Sequence, residues 1–200
     1  MNNKLKMAAG AAGIIAIMAV GGTAAYFAAS SWLQNQAGVG ENTIALTEDF
    51  KTPDEMHKGD NEYKKTVQVT NTGTVPCYVR VYADFSDSKI KDISSISSDG
   101  GKTYYPASEN ECHPSDGWLP EGWRYEQMGQ DDGYYYYITP IQPGDKTSPL
   151  FTNIDTKFED EKDVSQYDVI VYAESVQTVK HDGTQAADYN DAWTSFLDRK

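Results

Sequence analysis

The sequence predicts an all-β protein, a β-sandwich of jelly-roll or immunoglobulin type, and three observations support that prediction. Short segments in which apolar and polar residues alternate recur along the chain, separated by turns rich in Gly, Pro, Asn and Asp. Tyrosine is abundant, with 14 copies, and aromatic side chains suit a pleated, half-buried surface. No second long apolar segment follows the one near the N-terminus, so we expect one sandwich domain over residues 44–200.

Three strands are predicted in the first half of this domain. Ile44 and Leu46 alternate with polar neighbours, and the same alternation returns at residues 63–70. Gly73 is expected to supply a positive φ in the turn that follows. The alternation is clearest at residues 77–85, where Arg80 lies on the polar face. We therefore predict that Arg80 pairs with a charge on the neighbouring strand.

The second half begins with a long loop excursion. Residues 86–122 are rich in Ser, Asp, Gly and Pro, which disfavour regular elements. Residues 123–128 and 134–141 are predicted to form a hairpin, and residues 150–158 another short strand. Turn signals between these segments give the spacing that is typical of a sandwich.

A central strand and a helix are predicted to end the domain. Residues 167–179 are apolar on both faces in their middle, which is typical of a strand covered on both sides. Tyr189, Trp193 and Phe196 recur at helical spacing, so a short amphipathic helix is expected to close the fold.

The N-terminus has the layout of an export signal. Lys4 and Lys6 precede an uncharged, Ala- and Gly-rich run, and small residues follow where a signal peptidase cuts. The residues expected at the cut are Thr23, Ala24 and Ala25. Residues 1–25 are therefore predicted to be a signal peptide. An uncleaved membrane anchor is the alternative, because spanning a bilayer takes about 20 apolar residues.

The chain after the predicted cut is expected outside the cytoplasm, secreted or associated with the cell surface. Residues 26–43 are small and polar and are predicted to form a flexible N-terminal arm. The whole chain carries a formal net charge of −13, and the leader holds only positive charges, so the remainder is more acidic still. Such a surface repels phosphate backbones, which argues against nucleic-acid binding. It also repels copies of itself unless a specific contact, salt or a divalent cation overrides the repulsion.

The two cysteines, Cys77 and Cys112, leave two readings open. An even number of cysteines in an oxidising compartment is compatible with one disulfide, closing a loop of roughly 35 residues. Two separate thiols, one in a strand and one in a loop, are the alternative. No metal site is predicted at either cysteine, because the spacing supplies no further ligands.

No catalytic motif is visible, and we predict that the protein is not an enzyme and needs no cofactor. His57, His113 and His181 are isolated, whereas a zinc peptidase needs two ligands at helical spacing and a carboxylate base. Acidic clusters at 131–132 and 159–163 lack the alternating ligands of a calcium loop, so solvated charge is expected there, with calcium as the alternative.

A tyrosine run, Tyr134–Tyr137, could serve with Trp118 and Trp123 as a sugar-stacking face. Alternating tyrosines in a strand more commonly lie half in the core and half at the surface. The aromatic region 104–137 nevertheless defines an alternative function, a monomeric surface adhesin or glycan-binding module.

Several segments together resemble a known family. Gly21–Phe27 resembles the leaders cut by the dedicated SipW-type signal peptidase. Lys65–Val81 matches the K-x-V-x-V-x-N-T-G-T-x-x-x-Y-V-R-V strand-turn-strand of that group. Further matching segments follow in the same order: Asp132–Tyr137, Pro143–Gly144, Pro149–Phe151 and Val171–Gln177. The chain thus resembles the TasA/camelysin-like, SipW-dependent exported proteins of Gram-positive bacteria over most of its length.

The resemblance implies a jelly-roll-like secreted domain and, for the TasA branch, fibre formation in the biofilm matrix. In that branch the N-terminal arm freed by cleavage docks as a strand into the next subunit. Here that arm would be residues 26–50, and its Ile44 and Leu46 would fill pockets of the next subunit. The implied partners are further copies in a head-to-tail polymer, other matrix proteins and the SipW-type peptidase, with membrane contact only through the leader. The camelysin name carries a metalloprotease label, but the zinc motif is missing.

Overall fold

The computed structural model describes residues 13–20, 26–30, 40–50, 55–109, 119–128 and 133–198. Within these residues most of the regular structure is β, and strands pair into two antiparallel sheets that share one hydrophobic core. The coarse prediction of an all-β, sandwich-like protein is therefore confirmed. The predicted cut, Thr23, Ala24 and Ala25, lies outside the described residues.

The described residues form eleven strands and two α-helices. In chain order these are β1 (Gly13–Val20), β2 (Tyr26–Ser30), β3 (Ile44–Phe50), β4 (Gly59–Asn71), β5 (Cys77–Phe85), α1 (Ser88–Asp92), β6 (Ser94–Ser97), β7 (Tyr105–Pro106), β8 (Trp123–Glu126), β9 (Tyr134–Ile141), β10 (Phe151–Phe158), β11 (Asp168–Gln177) and α2 (Tyr189–Leu197). Among these residues no helix is both long and apolar enough to cross a membrane.

The strands divide into sheet A, in the order β2-β1-β11-β5-β9-β8, and sheet B, in the order β3-β4-β10-β6-β7. The strand predicted at 77–85 is confirmed as β5 and lies inside sheet A, between β11 and β9. The predicted hairpin is confirmed as the antiparallel pair β8 and β9. The predicted strand at 150–158 is β10, at the centre of sheet B.

The main core lies between the two sheets. Val67 and Val69 of β4 belong to the same hydrophobic cluster as Val79 and Val81 of β5, and all four side chains are fully buried. Burying one valine side chain stabilises a fold by roughly 1.5–3 kcal/mol. The period-2 alternation seen in the sequence is therefore the feature that holds the sheets together.

The prediction of a loop excursion over residues 86–122 needs a correction. α1, β6 and β7 lie inside it, and β6 pairs with β10 of sheet B. Ser94 in β6 is buried, and its hydroxyl lies 2.7 Å from the Thr156 hydroxyl. A strand whose inward face is partly serine shows little apolar alternation, which is why the sequence pattern did not indicate it.

A second, smaller core lies on the outer face of sheet A, beneath α2. Trp193 of this helix is fully buried against Tyr136 of β9, and Val176 of β11 belongs to the same cluster. The predicted C-terminal helix is confirmed. β11 is buried on both faces from Ala173 to Val176, whereas Ile170 and Tyr172, in the stretch where coverage on both sides was predicted, are half-buried.

The tyrosine run differs from the expectation of one surface face. On the outer side α2 packs on Tyr136, and Tyr82 and Tyr172 pack on Tyr134, so both are buried, while Tyr135 enters the main core.

Candidate assembly site

The seam, as we name it, is the side of the sandwich where β3 of sheet B approaches β11 of sheet A. β1 lies along the seam and pairs antiparallel with β11 at eight positions, from Gly13 opposite Ser175 to Val20 opposite Asp168. The other side of β11 pairs with β5. A strand of the predicted leader thus occupies the outer edge of β11.

The first residues of the predicted arm lie on the far side of β1. β2 pairs antiparallel with β1, with Tyr26 opposite Met18 and Ser30 opposite Ile14. β1 therefore separates the start of the arm from the edge of β11.

The end of the arm is fixed to the C-terminal end of β11. Gln177 donates a hydrogen bond from Nε2 to the Gly40 carbonyl at 3.2 Å. Asn42 donates from Nδ2 to the Ser175 carbonyl at 3.2 Å, and Ser175 donates from Oγ to Asn42 Oδ1 at 3.1 Å. Both side chains are buried. The predicted flexible arm is consequently anchored from Gly40 onward.

The turn that follows β4 also holds the end of the arm, through a backbone hydrogen bond. The Thr74 amide donates to the Glu41 carbonyl at 2.8 Å. A Cβ on Gly73 would approach the Glu41 carbonyl oxygen to 2.2 Å, and one on Gly40 would approach Val75 Cγ1 to 1.9 Å. The expectation of a positive φ at Gly73 was wrong, because the φ of Gly73 is not positive. Glycine is needed there because the backbone of Glu41 comes too close for a side chain.

A buried ion pair marks the opposite end of the seam. Lys65 Nζ of β4 lies 3.2 Å from Glu48 Oε1 of β3, and the two side chains are only 1% and 8% exposed. Burial lowers the pKa of Lys65 and raises that of Glu48. The opposite charge of each partner acts against these shifts, and Asp168 adds to this at Lys65. Lys65 was not predicted as a site residue, although its phase with Tyr63 and Val67 along β4 indicates an inward position.

Ile44 and Leu46 lie in β3 and are buried in the core of their own chain, at 1% and 7% exposure. β3 pairs with β4, with Leu46 opposite Val69. Any donor segment that leaves the domain therefore lies upstream of these two residues.

Cys77, at the start of β5, is fully buried, and burial raises the pKa of its thiol to about 12. Cys112 lies outside the described residues, so the pairing of the two cysteines stays a prediction. A thiol with this pKa is essentially all protonated at neutral pH and is a poor nucleophile.

Arg80 is held in a buried aromatic cluster beneath α2. Its Nε donates to Glu174 Oε2 at 2.5 Å, and Glu174 stands directly opposite it on β11. The guanidinium carbon lies 3.8 Å from the Tyr134 ring centre and 4.4 Å from that of Trp193. Burial alone would lower the pKa of Arg80, but the Glu174 carboxylate and Tyr136 raise it. The predicted cross-strand partnership of Arg80 is confirmed.

The aromatic region proposed for sugar stacking is largely internal where the structure describes it. Trp123 and Tyr136 are fully buried, and Tyr135 is nearly so. Trp118 lies outside the described residues. Tyr82 and Tyr172, which are half-buried on the outer face of sheet A, stack on each other at 4.8 Å between ring centres. Each of these two rings therefore turns one face to its neighbour.

Histidines and acidic groups are dispersed in the described part of the chain. His57 Nδ1 lies 2.9 Å from the Lys58 carbonyl, and His181 Nδ1 lies 3.3 Å from Ser195 Oγ on an exposed surface. The acidic residues between 159 and 163 are exposed. His113 and residues 131–132 lie outside the residues that the structure describes. Within the described ranges no three His, Cys, Asp or Glu side chains are grouped to hold a metal ion.

Comparison with known proteins gives no relative: no family model, no curated protein and no solved structure matches the chain.

Proposed function

We propose that this protein is an exported, non-enzymatic structural subunit that builds an extracellular fibre or matrix by N-terminal donor-strand addition. A SipW-type peptidase removes the leader, and the arm of each subunit completes the sandwich of the next one. The proposal includes a jelly-roll type of sandwich, other matrix proteins as further partners, and an extracellular or surface location. It rests on the resemblance to TasA/camelysin-like proteins together with the geometry of the seam.

The observation that carries the proposal is the occupant of the β11 edge. Among the described residues, the strand that pairs with the outer side of β11 is β1, which belongs to the predicted leader. A cut after Ala25 would leave this edge with a row of backbone N–H and C=O groups facing solvent. Such an edge is a ready template for a strand from another chain.

The position of Gly40 favours a donor from another subunit. Because Gln177 holds the Gly40 carbonyl, the arm joins the domain at the C-terminal end of β11. An arm that folds straight back along its own β11 runs parallel to it, whereas β1 is antiparallel. Running to the far end and returning would take about sixteen residues at roughly 3.3 Å each, more than residues 26–39 supply.

Propagation then follows from symmetry. The donor segment and the acceptor edge are different surfaces of the same subunit. After each addition, one free arm remains at one end of the polymer and one free β11 edge at the other end. Head-to-tail contacts of this kind give an open filament unless the rotation closes a ring. The net charge of −13 for the whole chain makes unspecific association unfavourable and assembly dependent on salt.

The alternative function, a monomeric adhesin or glycan-binding module, receives less support from these contacts. A stacking site needs aromatic faces open to a sugar, and Trp123, Tyr135 and Tyr136 are buried. We propose no catalytic role, because the sequence supplies no zinc-peptidase or nucleophile motif.

The experiment compares chains that start at Tyr26 and at Gly40. Both keep Asn42 and all of β3, whereas a start at Thr47 would remove Ile44 and Leu46 from the core. We expect the longer chain to form filaments in light scattering and negative-stain microscopy, and the shorter chain to stay monomeric. If both remain monomeric across salt, acid and calcium, or if both polymerise, arm donation is contradicted.

A further inference from the structure

The leader strand β1 contacts both the acceptor edge, which is β11, and the start of the donor arm, which is β2. On one side it pairs with β11 from Asp168 to Ser175, and on the other it pairs with the start of the arm, Tyr26–Ser30. The same eight residues, Gly13–Val20, therefore cover the acceptor edge and hold the first part of the donor.

We propose that the uncut leader, while it is not inserted in a membrane, is an internal cap: Gly13–Val20 closes the acceptor edge of its own subunit and sequesters the donor arm until it is cut away. This inference rests on the proposed function and adds its regulation. One cleavage between β1 and β2 would then activate both halves of the contact, since it removes the strand that separates them.

Composition favours the leader over a donor arm as the partner of β11. The leader strand contains β-branched residues at Ile14, Ile15, Ile17 and Val20, which suit a strand. The arm strand is shorter: Tyr26 and Phe27 are aromatic strand formers, and two alanines and a serine follow them. With eight residues against five, the leader is therefore expected to pair with β11 more tightly.

Tethering adds to this preference in the uncut chain. A segment joined to its site by a flexible linker acts at an effective concentration on the order of millimolar. The arm of another subunit is present only at the protein concentration, so at about 10 µM a tethered competitor of equal affinity is favoured roughly 100-fold. After the cut the leader loses this advantage, and its apolar sequence partitions into a membrane.

The test uses the full chain with two adjacent prolines, Ala16→Pro together with Ile17→Pro. Successive amides of a strand point to opposite sides, so one of the two replaced N–H groups faces β11. The matched control, Ala16→Val with Ile17→Val, keeps both N–H groups. Hydrogen exchange of the β11 amides between Val169 and Ser175 is the first measurement, and the size of the uncut chain is the second.

We expect exchange of the outward β11 amides to be at least about tenfold faster in the proline variant than in the wild-type chain or the valine control. If exchange is the same in all three, β1 does not cover β11 and the cap is overturned, even where a chain starting at Tyr26 forms filaments. If exchange accelerates but the chain starting at Tyr26 stays monomeric, the cap stands and the polymerisation proposal fails.

A second experiment asks whether the cap controls assembly. The full chain is folded first, with a site for a specific protease placed between β1 and β2, and is then cut. We expect monomers before the cut and filaments after it. Filaments that form equally fast before the cut would contradict a capping role for the leader.

Discussion

Asn42 and Ser175 join the two sheets through a reciprocal pair of hydrogen bonds. The Asn42 amide donates to the Ser175 carbonyl, the Ser175 hydroxyl donates back to Asn42 Oδ1, and both side chains are buried. The pair links Asn42, two residues before β3 of sheet B, to β11 in sheet A, so it fixes the point at which the arm leaves the domain.

Asn42→Ala is expected to destabilise the fold, because it leaves the buried Ser175 hydroxyl and carbonyl without their partner. The expected loss in the free energy of unfolding is about 1–3 kcal/mol. Urea denaturation measures it, with Glu41→Ala as the control, since Glu41 is exposed next to the same position. Equal stability of the two variants would show that the pair contributes nothing.

The Arg80 and Glu174 pair is expected to be strongly coupled. Glu174→Gln leaves a buried guanidinium without its carboxylate and should cost about 3–5 kcal/mol in the free energy of unfolding. Arg80→Met combined with Glu174→Gln removes both charges and should cost clearly less than the sum of the two single changes. A double-mutant cycle by chemical denaturation decides this, and additive losses would contradict the coupling.

Cys77 is expected to resist thiol reagents in the folded protein, because it is buried and its pKa is raised to about 12. Titration with a chromogenic disulfide reagent under native and denaturing conditions counts the reactive thiols. Cys77→Ala is the matched control for assigning the signal. One thiol in the native protein and two after denaturation fit two free cysteines, whereas none after denaturation without reductant establishes the disulfide. Rapid native labelling of Cys77 would contradict its burial.

Asp155→Asn is expected to stabilise the protein at neutral pH. Burial, then the charges of Asp60 and Glu62, raise the pKa of Asp155, and Glu62 stands directly opposite it in the sheet. A carboxyl whose folded pKa is raised stabilises the fold below its unfolded pKa, and this stabilisation is lost as the pH rises through the folded pKa. The variant should therefore gain about 0.2–1 kcal/mol at pH 7, as for other opposed like charges, and lose this advantage in acid.

The measurement for Asp155 is urea denaturation at pH 7 and in acid, below the ordinary pKa of an aspartate. Glu159→Gln serves as the control, because Glu159 is an exposed acid outside this group of charges. A gain from Asp155→Asn that is independent of pH, or one matched by Glu159→Gln, would contradict the assignment.

The sequence was sufficient for elements whose inward side chains are apolar. Residues 77–85 alternate strictly and form β5 with those same bounds. The helix predicted from Tyr189, Trp193 and Phe196 is α2. Its helical spacing was visible because these apolar side chains pack together on the outer face of sheet A. Residues 94–97 were missed, since hydroxyl groups that find partners across the core replace part of the apolar pattern there.

The site depended on contacts between residues far apart in the sequence. A charge partner for Arg80 was predictable from the strand pattern, but its identity as Glu174 requires the register of β5 against β11. The role of Gly73 was misjudged because the crowding comes from Glu41, whose position no local pattern reveals. Lys65 and Glu48 likewise meet only once β3 is paired with β4.

Electron cryomicroscopy of filaments grown from a chain that starts at Tyr26 tests donor-strand assembly most directly. The account predicts an extended strand beside β11, antiparallel to it, whose density continues into Gly40 of a neighbouring subunit. A strand that traces back to Gly40 of the same subunit, a bare β11 edge within the filament, or failure to form filaments would contradict it.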